Sequence, residues 1–132
     1  MAQKIRFAVL IDDEEIDRRQ YQRVLKKSGL VDELKTFIYA DDALAFLKDN
    51  PQIDVDVIFL DINIPRMNGF DFLAAATAQL GPEFARIVVA MLTTSLNPDD
   101  YARAQSYEVV KEFINKPLTN EHVSRIARLL GS

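Results

Sequence analysis

Short apolar runs alternate along this chain with stretches of helical periodicity. The central run, Val55-Asp56-Val57-Ile58-Phe59-Leu60, is rich in β-branched and aromatic residues and ends on Asp61. Such a run predicts a strand covered on both faces, as in a parallel sheet. Similar patterns predict strands over Ile5 to Ile11, Leu34 to Tyr39, Ile87 to Leu92 and Glu112 to Asn115.

Helical patterns fill the gaps. The first runs from about Glu15 to Ser28, with Ile16, Tyr21, Val24 and Leu25 on one side. Asp13, Glu14, Glu15 and Asp17 load its start, and Arg23, Lys26 and Lys27 its end, before Gly29. Both clusters suit the helix dipole. Asp41 is expected to cap a second helix carrying Leu44 and Leu47, which Asn50-Pro51 ends. A third, from about Phe70 to Leu80, should bury Phe70, Leu73 and Thr77, and Gly81-Pro82 breaks it.

Asn97-Pro98 reads as a cap followed by proline at the first helical position. The helix it opens, about Pro98 to Tyr107, is poor in large apolar residues. Thr119 caps the last helix, where Val123, Ile126, Ala127 and Leu130 recur at i, i+3, i+4 and i+7. Five strands alternating with five helices, on short connections, require a parallel sheet with helices on both faces.

Polar residues end four of the strands: Asp12 and Asp13, Asp61, Thr93, and Lys116. In a parallel sheet these ends share one edge, where open α/β sheets hold their chemistry. Crowded carboxylates raise one another's pKa, and a divalent cation relieves the repulsion. Oxygen ligands alone select a hard ion such as Mg²⁺ or Ca²⁺. Mg²⁺ fits a site with few carboxylates, several waters and a phosphate oxygen. A carboxylate can also act as a nucleophile toward phosphorus, forming an acyl phosphate.

Composition narrows the class. The 132 residues are one domain's worth, with no internal repeat or linker, so a single domain over 1–132 is expected. With no cysteine and only His122 as histidine, disulfides, thiolate chemistry and the usual zinc sites are excluded. The net charge of −4 argues against nucleic-acid and anionic-membrane partners. No apolar run approaches the ~20 residues that span a bilayer. Met1-Ala2-Gln3-Lys4 leads directly into a strand, unlike a signal peptide. A cytoplasmic protein is the expectation.

At this point the chain resembles the receiver domain of two-component response regulators, over nearly its whole length. The marks are Asp12-Asp13, Asp61 with Pro65 and Gly69 behind it, Thr93 after the fourth strand, and Lys116-Pro117 after the fifth. The resemblance implies a flavodoxin-like sheet in the order 2-1-3-4-5. It implies that Asp61 accepts a phosphoryl group from a histidine kinase or histidine phosphotransfer protein, with Mg²⁺ bound. Asp13 and Asp61 would ligate the metal directly, with the backbone carbonyl of Asn63 as a further ligand and Asp12 acting through water. Thr93 and Lys116 would bind the phosphoryl group, and Phe113 would be the switch aromatic. The output would be changed binding to an unknown downstream protein or a second copy of the chain, through the face of the fourth helix, fifth strand and fifth helix.

The sequence departs from the family's pattern in two places. Receivers commonly carry Gly-Ala shortly before the switch aromatic, where this chain has Val109-Val110-Lys111-Glu112. The turn there, and the end of the fourth helix, are expected to differ. The aromatic itself is Phe113 and not tyrosine, which removes a hydroxyl.

Plainer readings compete residue by residue. Asp13 alone would pass for a helix cap, Lys116 for a surface lysine, Thr93-Thr94-Ser95 for turn chemistry, and Phe113 for core. His122 reads as an exposed bystander. Among functions, the alternatives to a switch are a phosphate sink that drains a kinase and a Mg²⁺-dependent aspartyl-phosphate hydrolase. The hydrolase is disfavoured because Asn63 stands where such enzymes often place a second acid. A switch, and not a turnover enzyme, is the expectation.

Overall fold

The computed structural model describes residues 4–131. Its strands are β1 Ile5–Ile11, β2 Val31–Phe37, β3 Val57–Asp61, β4 Val88–Thr93 and β5 Val110–Asn115. All pairs are parallel, in the order β2-β1-β3-β4-β5. The helices are α1 Glu15–Lys27, α2 Ala40–Asp49, α3 Gly69–Leu80, α4 Pro98–Gln105 and α5 Asn120–Leu130. The parallel sheet between helix layers is what the alternation demanded, and the strand order is the one the family resemblance implied. A 3₁₀ helix, Gly81–Arg86, follows α3 where only a break was expected.

Strand alternation sorts the core into two halves. Ile58 and Leu60 face α2, α3 and α4, packing with Leu44, Phe72, Leu73 and Ala104. Val57 and Phe59 face α1 and α5, packing with Tyr21, Leu25, Val123 and Ile126. Every residue of β3 is buried, as its unbroken apolar run implies.

Several local expectations need correction. β2 begins at Val31, not Leu34, and ends at Phe37, before Ile38 and Tyr39. Its Asp32 and Glu33 hid it, because an edge strand keeps charges in water. Ile16 is 76% exposed. Tyr21 is five residues further along α1, about 140° around the axis, so the two cannot share a buried face. Asp41 does not cap α2: Tyr39 holds that position without a side-chain cap, and Asp41 sits in the first turn.

Thr77 is exposed and gives its hydroxyl to the Leu73 carbonyl, while Ala76 takes the buried place. His122 is no bystander. Its Nδ1 accepts from the Thr119 backbone N–H at 3.0 Å, completing a reciprocal cap on α5. α4 stops at Gln105, two residues early. β5 then starts at Val110, with Lys111 as an extra residue opposite the Val89/Ala90 step of β4. The Val109–Glu112 departure therefore appears as a bulged, early-starting strand.

Candidate functional site at the C-terminal edge of the sheet

Asp12 directly follows β1, Asp61 ends β3, Thr93 ends β4, and Lys116 directly follows β5. Parallel strands carry all four to one edge. Asp12, Asp61 and Thr93 are the buried polar residues among the described residues, exposed by 0%, 6% and 0%. Burying a carboxylate is expensive unless a partner compensates it, and here the partner is Lys116. Its Nζ donates to Asp17 at 2.8 Å, to Asp12 at 3.0 Å and to Asp61 at 3.3 Å.

Backbone contacts set the acid pair. Asp12 Oδ1 accepts from the Glu14 N–H at 2.9 Å, so this side chain also organises the entry to α1. The Arg18 guanidinium donates to the Asp12 carbonyl at 3.0 Å. Asp13 is only half-buried, but it stands with Asp12 and Asp61: one carboxylate oxygen from each lies within 4.8 Å of the others. The oxygen-only donor set, the mutual approach and the shared charge all fit a hard divalent cation.

The electrostatics follow from burial. Asp61 is pushed up to about 6, first by desolvation and then by the charge of Asp12, with Lys116 opposing. Desolvation likewise raises Asp12 above the ordinary carboxylate value, against the Glu14 N–H and Lys116. Burial alone would lower the Lys116 pKa. Its hydrogen bond to Asp17, the charge of Asp61 and its bond to Asp12 outweigh that, so the ammonium is held more firmly than usual.

The remaining expected residues lie around this cluster. Thr93 Oγ1 accepts from the Ser95 N–H at 2.8 Å, so the hydroxyl is engaged by its own loop. Asn63 is exposed in the β3–α3 loop, between buried Ile62 and Ile64. Gly69 opens α3 against the end of β3; a Cβ there would come 2.9 Å from the Asp61 carbonyl oxygen. Phe113 is half-buried and meets Tyr101 of α4 edge-on, with centroids 5.3 Å apart.

Asp17 was missed as a member of the site. Sequence reading treated it as a dipole-matched charge on α1. The available signal was spacing: Asp17 lies one helical turn, i to i+4, before buried Tyr21 and in the first turn of α1, next to the Asp12-Asp13 strand end. A separate cavity of about 310 Å³, between Arg6, Val55, Phe84 and Arg86, opens at the other end of the strands and includes none of these residues.

Comparison with known proteins agrees with this arrangement. The family described as "Response regulator receiver domain" matches residues 8–128. Response regulator Rcp1 of Synechocystis is 35% identical over 105 residues, which cover 76% of this chain and 69% of Rcp1. An uncharacterized response regulatory protein of Vibrio cholerae is 30% identical over 124 residues, 93% of this chain but 48% of the relative. The chain thus spans about half the length of some relatives it matches. A response regulator from Cytophaga hutchinsonii superposes with a TM-score of 0.90 at 25% identity, covering 98% of this chain and 100% of that one. With the 2-1-3-4-5 sheet and the acids and lysine gathered at its edge, these matches establish that the chain belongs to the receiver-domain family of response regulators.

Proposed function

We propose that Asp61 is the phosphoacceptor of a two-component switch. The observation that carries this is the burial of its carboxylate between Asp12 and Lys116 at the end of the central strand. A nucleophilic oxygen of Asp61 attacks phosphorus on a phosphohistidine of a kinase or phosphotransfer protein. An O–P bond forms and the P–N bond breaks. The electron pair leaves with the imidazole, which then takes up a proton.

Asp13 and Asp61, with the Asn63 carbonyl, would hold a Mg²⁺ ion, with Asp12 acting through water. The ion supplies charge neutralisation for the phosphoryl oxygens in transit. The Lys116 ammonium and the Thr93 hydroxyl bind those oxygens in the acyl phosphate. For Thr93 to turn toward them, its bond from the Ser95 N–H must open. Phe113, packed at the α4 contact, repacks with it. This couples the acceptor to the face of α4, β5 and α5 in a two-state manner. That face meets a downstream protein or a second copy of the chain.

Residues 1–132 act as one receiver unit in the cytoplasm, as a switch and not as a turnover enzyme. The hydrolase reading has Asn63 in place of a second acid. Incubation with acetyl phosphate and Mg²⁺ should add one phosphoryl group by intact mass. EDTA and Asp61→Asn should each abolish the addition. A normal yield from Asp61→Asn would refute the assignment. A phosphate sink is distinguished by partner capture: no protein would then discriminate the beryllofluoride-bound form, while the cognate kinase still loses phosphate rapidly to Asp61.

A further inference from the structure

Arg66 occupies the loop between the acceptor and α3 with φ 73, the left-handed region that a non-glycine residue rarely adopts. The Met67 N–H returns to the Pro65 carbonyl at 2.9 Å, so a three-residue turn closes over Arg66. A turn of this hand is the rare, strained form. Strain of this kind persists only where surrounding contacts over-determine it.

Those contacts all come from the start of α2. The Arg66 guanidinium bonds Asp41, lies 3.6 Å from Asp42 and stacks on Tyr39, 4.1 Å from the ring centroid. Asp41 commits one oxygen to Arg66 and leaves the other, Oδ1, buried without a hydrogen-bond partner among the described residues. The Asp41 carboxyl is held below the ordinary carboxylate pKa, first by its hydrogen bond from Arg66, so the pairing stabilises the charged group where it stands. The clamp joins the β3–α3 loop to the first turn of α2, 25 residues away in sequence.

We propose that Arg66 is a positioning residue for the metal site: by pinning the β3–α3 loop to α2, it holds the backbone around Asn63 ready for the cation. This rests on the Mg²⁺-dependent acceptor reading above. Two effects of Arg66 on Mg²⁺ affinity oppose each other. As a nearby cation, Arg66 repels Mg²⁺, so its removal alone would tighten binding. As a clamp it preorganises a ligand, so its removal weakens binding. The sign of the change separates them.

The test is Mg²⁺ titration of the full chain by calorimetry and by amide NMR shifts, with no phosphodonor present. Arg66→Gly adopts the same turn without strain while losing both ion pairs and the stacking. It should bind Mg²⁺ about 10-fold more weakly, with a thermal midpoint close to the parent's. Asp41→Asn should also weaken binding, and combining it with Arg66→Gly should add little, because both break one contact. Parent-like or tighter binding by a folded Arg66→Gly overturns the clamp and leaves the acceptor reading standing. A parent that binds no Mg²⁺ overturns both.

Discussion

Lys116 lies closer to Asp17, at 2.8 Å, than to the acceptor Asp61, at 3.3 Å. The lysine is thus shared among three acids, and the nearest is on α1, outside the strand ends. Asp17→Asn removes the competing full charge. Lys116 should then settle on Asp12 and Asp61, and the Asp61 midpoint should move below about 6. Carbon-detected NMR titration of the Asp61 carboxyl checks this; an unmoved midpoint would show that Asp17 does not restrain the lysine.

The same burial makes stability depend on pH. The folded-state pKa of Asp61, about 6, lies above its ordinary 3.8. The folded form therefore binds this proton more tightly than the unfolded chain. Its stabilising effect is complete below the ordinary value and is lost as pH rises through about 6. The full loss without metal should be about 3 kcal/mol, of which about 2 kcal/mol falls between pH 4.5 and 7.5. Urea midpoints between pH 4.5 and 7.5 in EDTA measure it. Asp61→Asn should flatten this slope and be more stable than the parent at pH 7.5.

Lys116→Met should steepen the loss of stability with rising pH. It leaves Asp12 and Asp61 buried without their cation, which costs roughly 3 kcal/mol at neutral pH. Acid should reduce the loss, because protonated carboxyls no longer need the ammonium. Asp61 should still accept phosphate, but the response should stop there. In the parent, beryllofluoride should shift the Ser95 amide, as Thr93 releases it, and the Phe113 ring. Identical shifts in Lys116→Met would disprove the coupling.

Gly69→Ala tests how tightly the site is built. The added methyl would lie 2.9 Å from the Asp61 carbonyl oxygen and 3.0 Å from Ile62 Cα. Both obstacles are backbone, so no side chain can swing clear. Overpacking should cost roughly 1–3 kcal/mol, and the shifted β3 end should weaken Mg²⁺ binding in calorimetric titration.

Much of this protein was already determined by local sequence. β3 could be recognised because a strand buried on both faces must be apolar throughout, and Val57 to Leu60 are. The 2-1-3-4-5 order followed from family resemblance, and the gathering of Asp12, Asp61, Thr93 and Lys116 followed from parallel strands sharing an edge. The cap Thr119 was legible for the same local reason, its bond to the third residue of its own helix.

What tertiary structure alone decided concerns partners distant in sequence. The link from Lys116 to Asp17 spans 99 positions, and the link from Arg66 to Asp41 spans 25. Periodicity along one helix marks Asp17 as polar, but cannot say which cation will be brought to it. Ile16 was misread because five residues carry a helix well past one turn, and the burial of a face depends on what packs against it. β2 was shortened because edge and central strands obey different patterns, and edge position is a property of the whole sheet. Arg66 carries no local mark of its φ of 73. Its backbone is held there by Tyr39, Asp41 and Asp42, contacts that exist only once α2 has docked beside the β3–α3 loop.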